Sequence, residues 1–177
     1  MKVFQPAAER STLGNLARTL AQTTVFWTVF IVVLPWAIHA GERTLDVPGF
    51  SFGHQRPIAL AIFVVMAAMN LGSGVVMAVI GRGTPFPADT ARELVVRGPY
   101  RHLRNPMGFG GLGVGLAVGL WLGSWSILGY VAAGGIVWHL VARPMEERDL
   151  EARFGESYRQ YRAAVRCWIP RLTPYRR

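Results

Sequence analysis

The sequence predicts an all-α fold, a polytopic membrane helical bundle of about four transmembrane helices with an amphipathic helical tail at its C-terminal end. Three observations carry that prediction. Of 177 residues, 51% are hydrophobic and only 16% charged. The apolar residues gather in long runs rather than being dispersed, as in integral membrane proteins. The basic residues are crowded into alternate gaps between those runs.

Composition also excludes some functions. A net charge of +9 would suit nucleic acid, but the arginines flank apolar spans instead of lining one soluble face, so nucleic-acid binding is not expected. Cys167 is the only cysteine, which leaves no internal disulfide and too few thiols for a structural zinc site. No metal is expected, and residues 1–177 read as one membrane domain.

Residues 1–19, with Lys2, Arg10 and Arg18 against a single acid, Glu9, read as a short basic arm. The first span, 20–40, is long enough to cross the hydrocarbon core at 1.5 Å per residue, and Pro35 is tolerated there. Arm and span also resemble a signal peptide, with Ile38-His39-Ala40 as a poor cleavage site, and a retained first span is the favoured reading. The second span, 58–80, is interrupted by Asn70, Gly72, Ser73 and Gly74. Close helix packing with Asn70 hydrogen-bonded across an interface explains these residues; a ligand cavity beside Asn70 is the alternative.

The third span, 108–122, carries Gly111, Gly115 and Gly119, with Gly123 next in register, along one helical face. Such a ridge admits another helix closely, within one chain or between two, so oligomeric state stays open. The fourth span is 126–142. His139 lies near its end and is a candidate substrate contact, because an ionisable residue at membrane depth is rare unless used; a solvated histidine at the interface is the alternative. The tail 143–177 repeats Leu150, Phe154, Tyr158, Tyr161 and Val165 at helical spacing, with Phe154-Gly155 dividing it into two short helices. That stripe predicts docking on the membrane surface or on the protein itself.

Four spans leave seventeen of the nineteen Lys and Arg residues on one side. The positive-inside rule then places both termini, segment 81–107 and the tail in the cytoplasm, as expected for a protein of the bacterial inner membrane. It also brings the two unusual polar stretches, 98–107 and 143–150, to the same face.

Those stretches carry a resemblance. Gly81-x-Gly83-Thr84-Pro85-x-Pro87, Gly98-Pro99-Tyr100-Arg101-x-x-Arg104-Asn105-Pro106-Met107 and Glu146-Glu147-x-x-Leu150 come first. Phe154-Gly155-x-x-Tyr158-x-x-Tyr161 and Val165-Arg166-x-x-Ile169-Pro170 follow. Together, over 81–170, they resemble the isoprenylcysteine carboxyl methyltransferases and the wider group that includes phospholipid N-methyltransferases. The resemblance implies a multi-span enzyme that transfers a methyl group from S-adenosylmethionine to a lipid-like or isoprenylated acceptor. It implies Gly98, Tyr100, Arg101, Arg104, Asn105, Pro106, Glu146 and Glu147 as cofactor residues. Arg104, Asn105, Glu147 and Arg166 would stand at the chemistry, with Tyr158 and Tyr161 facing substrate. Many relatives have histidine at the position of Asn105 and tyrosine at that of Gly108. Asparagine still donates and accepts hydrogen bonds but is no base, and Gly108 is expected to loosen the pocket wall.

The residue types suit the chemistry. Arginine clamps a carboxylate through paired N–H donors. A glutamate accepts from an ammonium or a ribose hydroxyl, and methyl transfer needs in-line approach without water. Two other readings are an NADPH-dependent membrane reductase of related fold and a non-catalytic scaffold assembled through the glycine ridge. The expected partners are the bilayer and a lipophilic acceptor.

Overall fold

The computed structural model describes residue 5 and residues 7–176. Among them the chain forms four principal helices, all running along one bundle: α1 (Thr12–Thr44), α2 (Gln55–Ile80), α3 (Pro106–Leu122) and α4 (Trp125–Ala164). Three are long and apolar enough to cross a membrane. At 17 residues, α3 spans about 25 Å, short of the ~30 Å hydrocarbon thickness. It compensates by lying innermost, packed between α2 and α4. The two longest helices, α1 and α4, each contain a π-helical stretch, at Thr28–Val33 and Trp138–Ala142.

The first helix corrects the sequence reading. Residues 12–19 belong to α1 rather than to a basic arm: Ser11 caps the helix, its Oγ accepting from the Gly14 N–H at 3.2 Å. The helix is inside out by the standard of a soluble protein. Leu13, Leu20 and Val25 are exposed, whereas Asn15, Thr19 and Thr23 are buried. Lipid solvates the apolar face, and the small polar face packs on α2, where a Cβ on Gly74 would stand 3.2 Å from Thr19 Cγ2. Asn70 donates through Nδ2 to the Met107 carbonyl at 2.8 Å, the interhelical hydrogen bond expected of it.

The glycines of α3 serve two neighbours. Gly110 and Gly113 take α2, where added Cβ atoms would meet the Met66 carbonyl at 2.8 Å and Met66 Cγ at 2.4 Å. Gly115 and Gly119 take α4, against Val131 and Leu128. The ridge is thus filled within the chain, which removes the surface that the scaffold reading needs.

The distal end of the bundle is clasped. Glu42 accepts from Ser124 Oγ at 2.8 Å and from the Ser126 N–H at 3.1 Å. The Phe50 N–H donates to the Gly123 carbonyl at 2.8 Å, and Gln55 Nε2 donates to that of Leu120 at 2.6 Å. Gly123 has φ +64°, which glycine alone adopts freely.

At the opposite end, the long connection between α2 and α3 is irregular and pinned by the N-terminal segment. Arg10 Nη1 lies 2.8 Å from the buried carboxylate of Asp89, and the Ala7 N–H donates to Thr90 O at 3.0 Å. α4 continues out of the bundle and breaks at Gly155 (φ 52°, ψ −126°). The expected division therefore falls there, but its first half is continuous with the fourth span. Beyond the break, Tyr158, Tyr161 and Val165 bury against Leu94, Val96, Leu150 and Phe154. The stripe docks on the protein itself. Residues 165–176 then return across this end as an extended strap.

Candidate active site

Local geometry places Arg104 at the centre of the non-clasped end. Gly98, at φ +56°, turns the chain into a short 3-10 helix, Gly98–Arg101, that buries Tyr100. Leu103 is buried next. Asn105 then caps α3, its Oδ1 accepting from the Gly108 N–H at 2.9 Å, and Pro106 follows where a missing N–H is harmless. Arg104, immediately before this cap, is held facing α4 and the strap.

Arg104 makes four contacts that tie this end together. Its N–H donates to the Arg166 carbonyl at 3.0 Å and its Nε to the Val165 carbonyl at 2.6 Å. Its Nη1 pairs with Glu147 and lies 3.4 Å from the Tyr158 hydroxyl. Arg143, one turn before Glu147, approaches the same carboxylate at 3.9 Å. Burial alone would make Arg104 easier to deprotonate; its pKa is nonetheless raised, because Glu147 favours the cation.

With Glu147 taken by arginine, Glu146 is the carboxylate that faces the interior. Its pKa is lifted to about 7, first by burial and then by the neighbouring carboxylates of Glu147 and Asp149. Burial likewise pushes the Cys167 thiol up to about 11 and the Tyr158 hydroxyl up to about 12. Tyr161 donates its hydroxyl proton to the Tyr100 carbonyl at 2.6 Å.

These groups enclose one cavity of about 60 Å³, room for a few water molecules. Its walls are of two kinds. Met77, Leu94, Val95 and Leu150 are apolar; Arg104, Asn105, Glu146 and Glu147 form the polar end. The Nδ2 of Asn105 is buried with no hydrogen-bond partner. Its assignment as nitrogen follows from the cap, which uses the oxygen. A buried donor without a partner is costly and points to a ligand acceptor.

Of the residues singled out from sequence, Tyr100, Arg104, Asn105, Glu146, Glu147, Tyr158 and Tyr161 line this cavity. Gly98, Arg101 and Pro106 do not. Gly98 shapes the turn, Pro106 starts α3, and Arg101 Nε binds the Tyr175 carbonyl at 2.8 Å, holding the strap. The Arg166 side chain is exposed, and only its carbonyl serves the site. His139 faces a separate apolar groove with Leu112, Ile136 and Leu140, and its Nδ1 accepts from Trp168 Nε1 at 2.9 Å. The sequence suggests that Gly108 loosens the pocket wall, but Gly108 does not line the cavity. A Cβ there would lie 2.7 Å from Asn105 Nδ2, so glycine leaves room for the cap.

Sequence reasoning missed Arg143 and Cys167. The spacing of Arg143 four residues before Glu147 was the available signal for one; an isolated cysteine gave none for the other.

The fold and site define a helical membrane protein with a half-polar, half-apolar pocket at one end of the bundle. The family model for phospholipid methyltransferases matches residues 55–157, more than half of the chain. The protein belongs to the phospholipid methyltransferase family and is by that membership a membrane methyltransferase. No curated protein and no solved structure matches it.

Proposed function

We propose that this chain, acting as one unit, transfers a methyl group from S-adenosylmethionine to a lipid-like acceptor at the cytoplasmic membrane face. Methyltransferases of this family generally use that cofactor, which supplies an electrophilic methyl group on a sulfonium when bound. The observation that carries the reading is the polar end of the cavity. The unpartnered Asn105 Nδ2 and the inward-facing Glu146 stand together beside the Arg104–Glu147 pair.

The residues fit the cofactor's groups. Asn105 Nδ2 is the donor available for a carboxylate, since Arg104 is committed to Glu147. Glu146 accepts from an ammonium or a ribose hydroxyl, and its negative charge favours a nearby cation. The apolar wall excludes water, which in-line displacement requires more than it requires a strong base. A cavity of about 60 Å³ does not admit a nucleoside, so the strap must lift, and only a few hydrogen bonds hold it. The excess of arginine on this side supports the cytoplasmic orientation.

Calorimetric titration with S-adenosylhomocysteine in nanodiscs, together with transfer of labelled methyl groups to extracted lipid, tests the proposal. Saturable binding that weakens in Asn105→Ala and Glu146→Gln is expected. NADPH binding in its place would return the protein to the reductase reading. Binding of neither by folded protein would overturn the enzyme assignment.

A further inference from the structure

The strap that covers the cavity has an outer face with no counterpart in the protein. Leu172 is 97% exposed and Ile169 58% exposed. Residues 165–177 hold four arginines and no acid. The preceding helix differs, since its Arg159 and Arg162 are paired to Glu151 and Glu156. Among the described residues no carboxylate lies within ion-pair distance of Arg166, Arg171 or Arg176. An excess of unpaired arginine beside projecting aliphatic side chains is not what a solvated turn requires.

Its position adds a second argument. Trp168, between Cys167 in the cavity and Ile169 outside, donates to His139 and closes one end of a groove lined by Leu112, Ile136 and Leu140. Those are residues of the membrane-spanning parts of α3 and α4, so the strap runs at the level where the last turn of the span meets water. Tryptophan, aliphatic side chains and arginines at that level match the interfacial zone of a bilayer.

We infer that residues 165–176 form a surface anchor that binds the anionic phospholipid of the membrane around the protein. Ile169 and Leu172 enter the interface, while Arg166 and Arg176 meet lipid phosphates. The same segment receives the Arg104 N–H at Arg166 O and sends the Arg171 N–H to His102 O and the Tyr175 N–H to Arg101 O. Membrane charge therefore holds the cover over the cavity. The inference uses no methyl-transfer chemistry and is read without substrate, so it stands or falls separately from the proposed function.

The test is hydrogen exchange by mass spectrometry on the full chain in two kinds of nanodisc, phosphatidylcholine alone and phosphatidylcholine mixed with phosphatidylglycerol. Amides of 168–176 should exchange about fivefold more slowly in the anionic discs, the effect of one arginine at an anionic surface. High salt, Leu172→Glu and the Arg166→Gln/Arg176→Gln pair should each abolish the difference, with exchange in α2 and α3 unchanged. Equal exchange in both discs would overturn the inference, as would a difference that survives Leu172→Glu. Protection that follows protein concentration instead of lipid charge would mean that a second copy covers the strap, and would overturn it too.

Discussion

The side chain of Asn105 fills the space that a Cβ on Gly108 would need. The amide accepts from the Gly108 N–H at 2.9 Å, and the added carbon would stand 2.7 Å from its Nδ2. The helix cap at Asn105 and the glycine three residues on are therefore one structural solution.

Gly108→Ala should destabilise the protein by about 1–2 kcal/mol, the usual range for overpacking. In an Asn105→Ala background the same change should be nearly neutral, because the obstructing side chain is gone. A double-mutant cycle on thermal unfolding in detergent measures the coupling. Simple additivity would refute the linkage.

Arg104→Ala leaves Glu146 and Glu147 together in a mostly buried site without their nearest cation. A loss of about 3 kcal/mol is expected, at the lower bound for a broken buried pair because some solvent reaches both partners. Glu147→Gln should cost less, since it removes a negative charge from a crowded site. Scanning fluorimetry ranks the two, and the reverse order would contradict the described electrostatics.

Glu146 gives stability a pH dependence with a definite sign. Its pKa rises from 4.5 to about 7 on folding, so the folded state holds the proton more tightly. The contribution is complete below about pH 4.5 and is lost as pH climbs through about 7. Glu146→Gln should flatten that slope and leave the acidic side unchanged. Melting temperatures of both proteins across this window decide it; parallel curves would remove Glu146 as the cause.

Cys167 should resist alkylation. It is buried at 7% exposure, and its thiol is pushed up to about 11, so little thiolate forms at neutral pH. N-ethylmaleimide should label it at least tenfold more slowly than the unfolded chain, an order-of-magnitude expectation for a buried thiol. Rapid labelling of folded protein, followed by mass spectrometry, would show that the strap stands open.

Glycines of α3 and α4 should separate cleanly. Gly110→Ala drives a Cβ against the Met66 carbonyl and the Asn70 nitrogen, which are backbone atoms that cannot yield. Gly129→Ala meets nothing within 4 Å. The first should cost about 1–3 kcal/mol and the second nothing or less than nothing, given the helix preference of alanine over glycine. Thermal unfolding of the two variants makes the comparison.

Apolar runs made the four helices of the bundle legible, and the Arg-Asn-Pro and Glu-Glu motifs marked residues that the fold brings to one cavity. Hydropathy failed at residues 12–19, since Asn15 and Thr19 look soluble yet form the face that α2 covers. Motif reasoning overreached at Arg166, whose contribution passes through a carbonyl that any residue would possess. It also misjudged Gly108, because the obstruction depends on the rotamer of Asn105, which no residue type encodes alone. His139 stands beside an apolar groove and accepts from Trp168, surroundings that its residue type and position in the apolar run do not reveal.

The Glu42 clasp has a mechanical meaning. Four links tie α1, α2 and the α3–α4 turn together at the distal end, through Glu42, Phe50 and Gln55. The other end is closed by a strap on a few hydrogen bonds. Such a body behaves like a peg with a fixed hinge: its far end resists spreading, so displacement is confined to the jaws. The bundle thereby gains a direction: one end is fixed, and the end that holds the cavity is the one free to open.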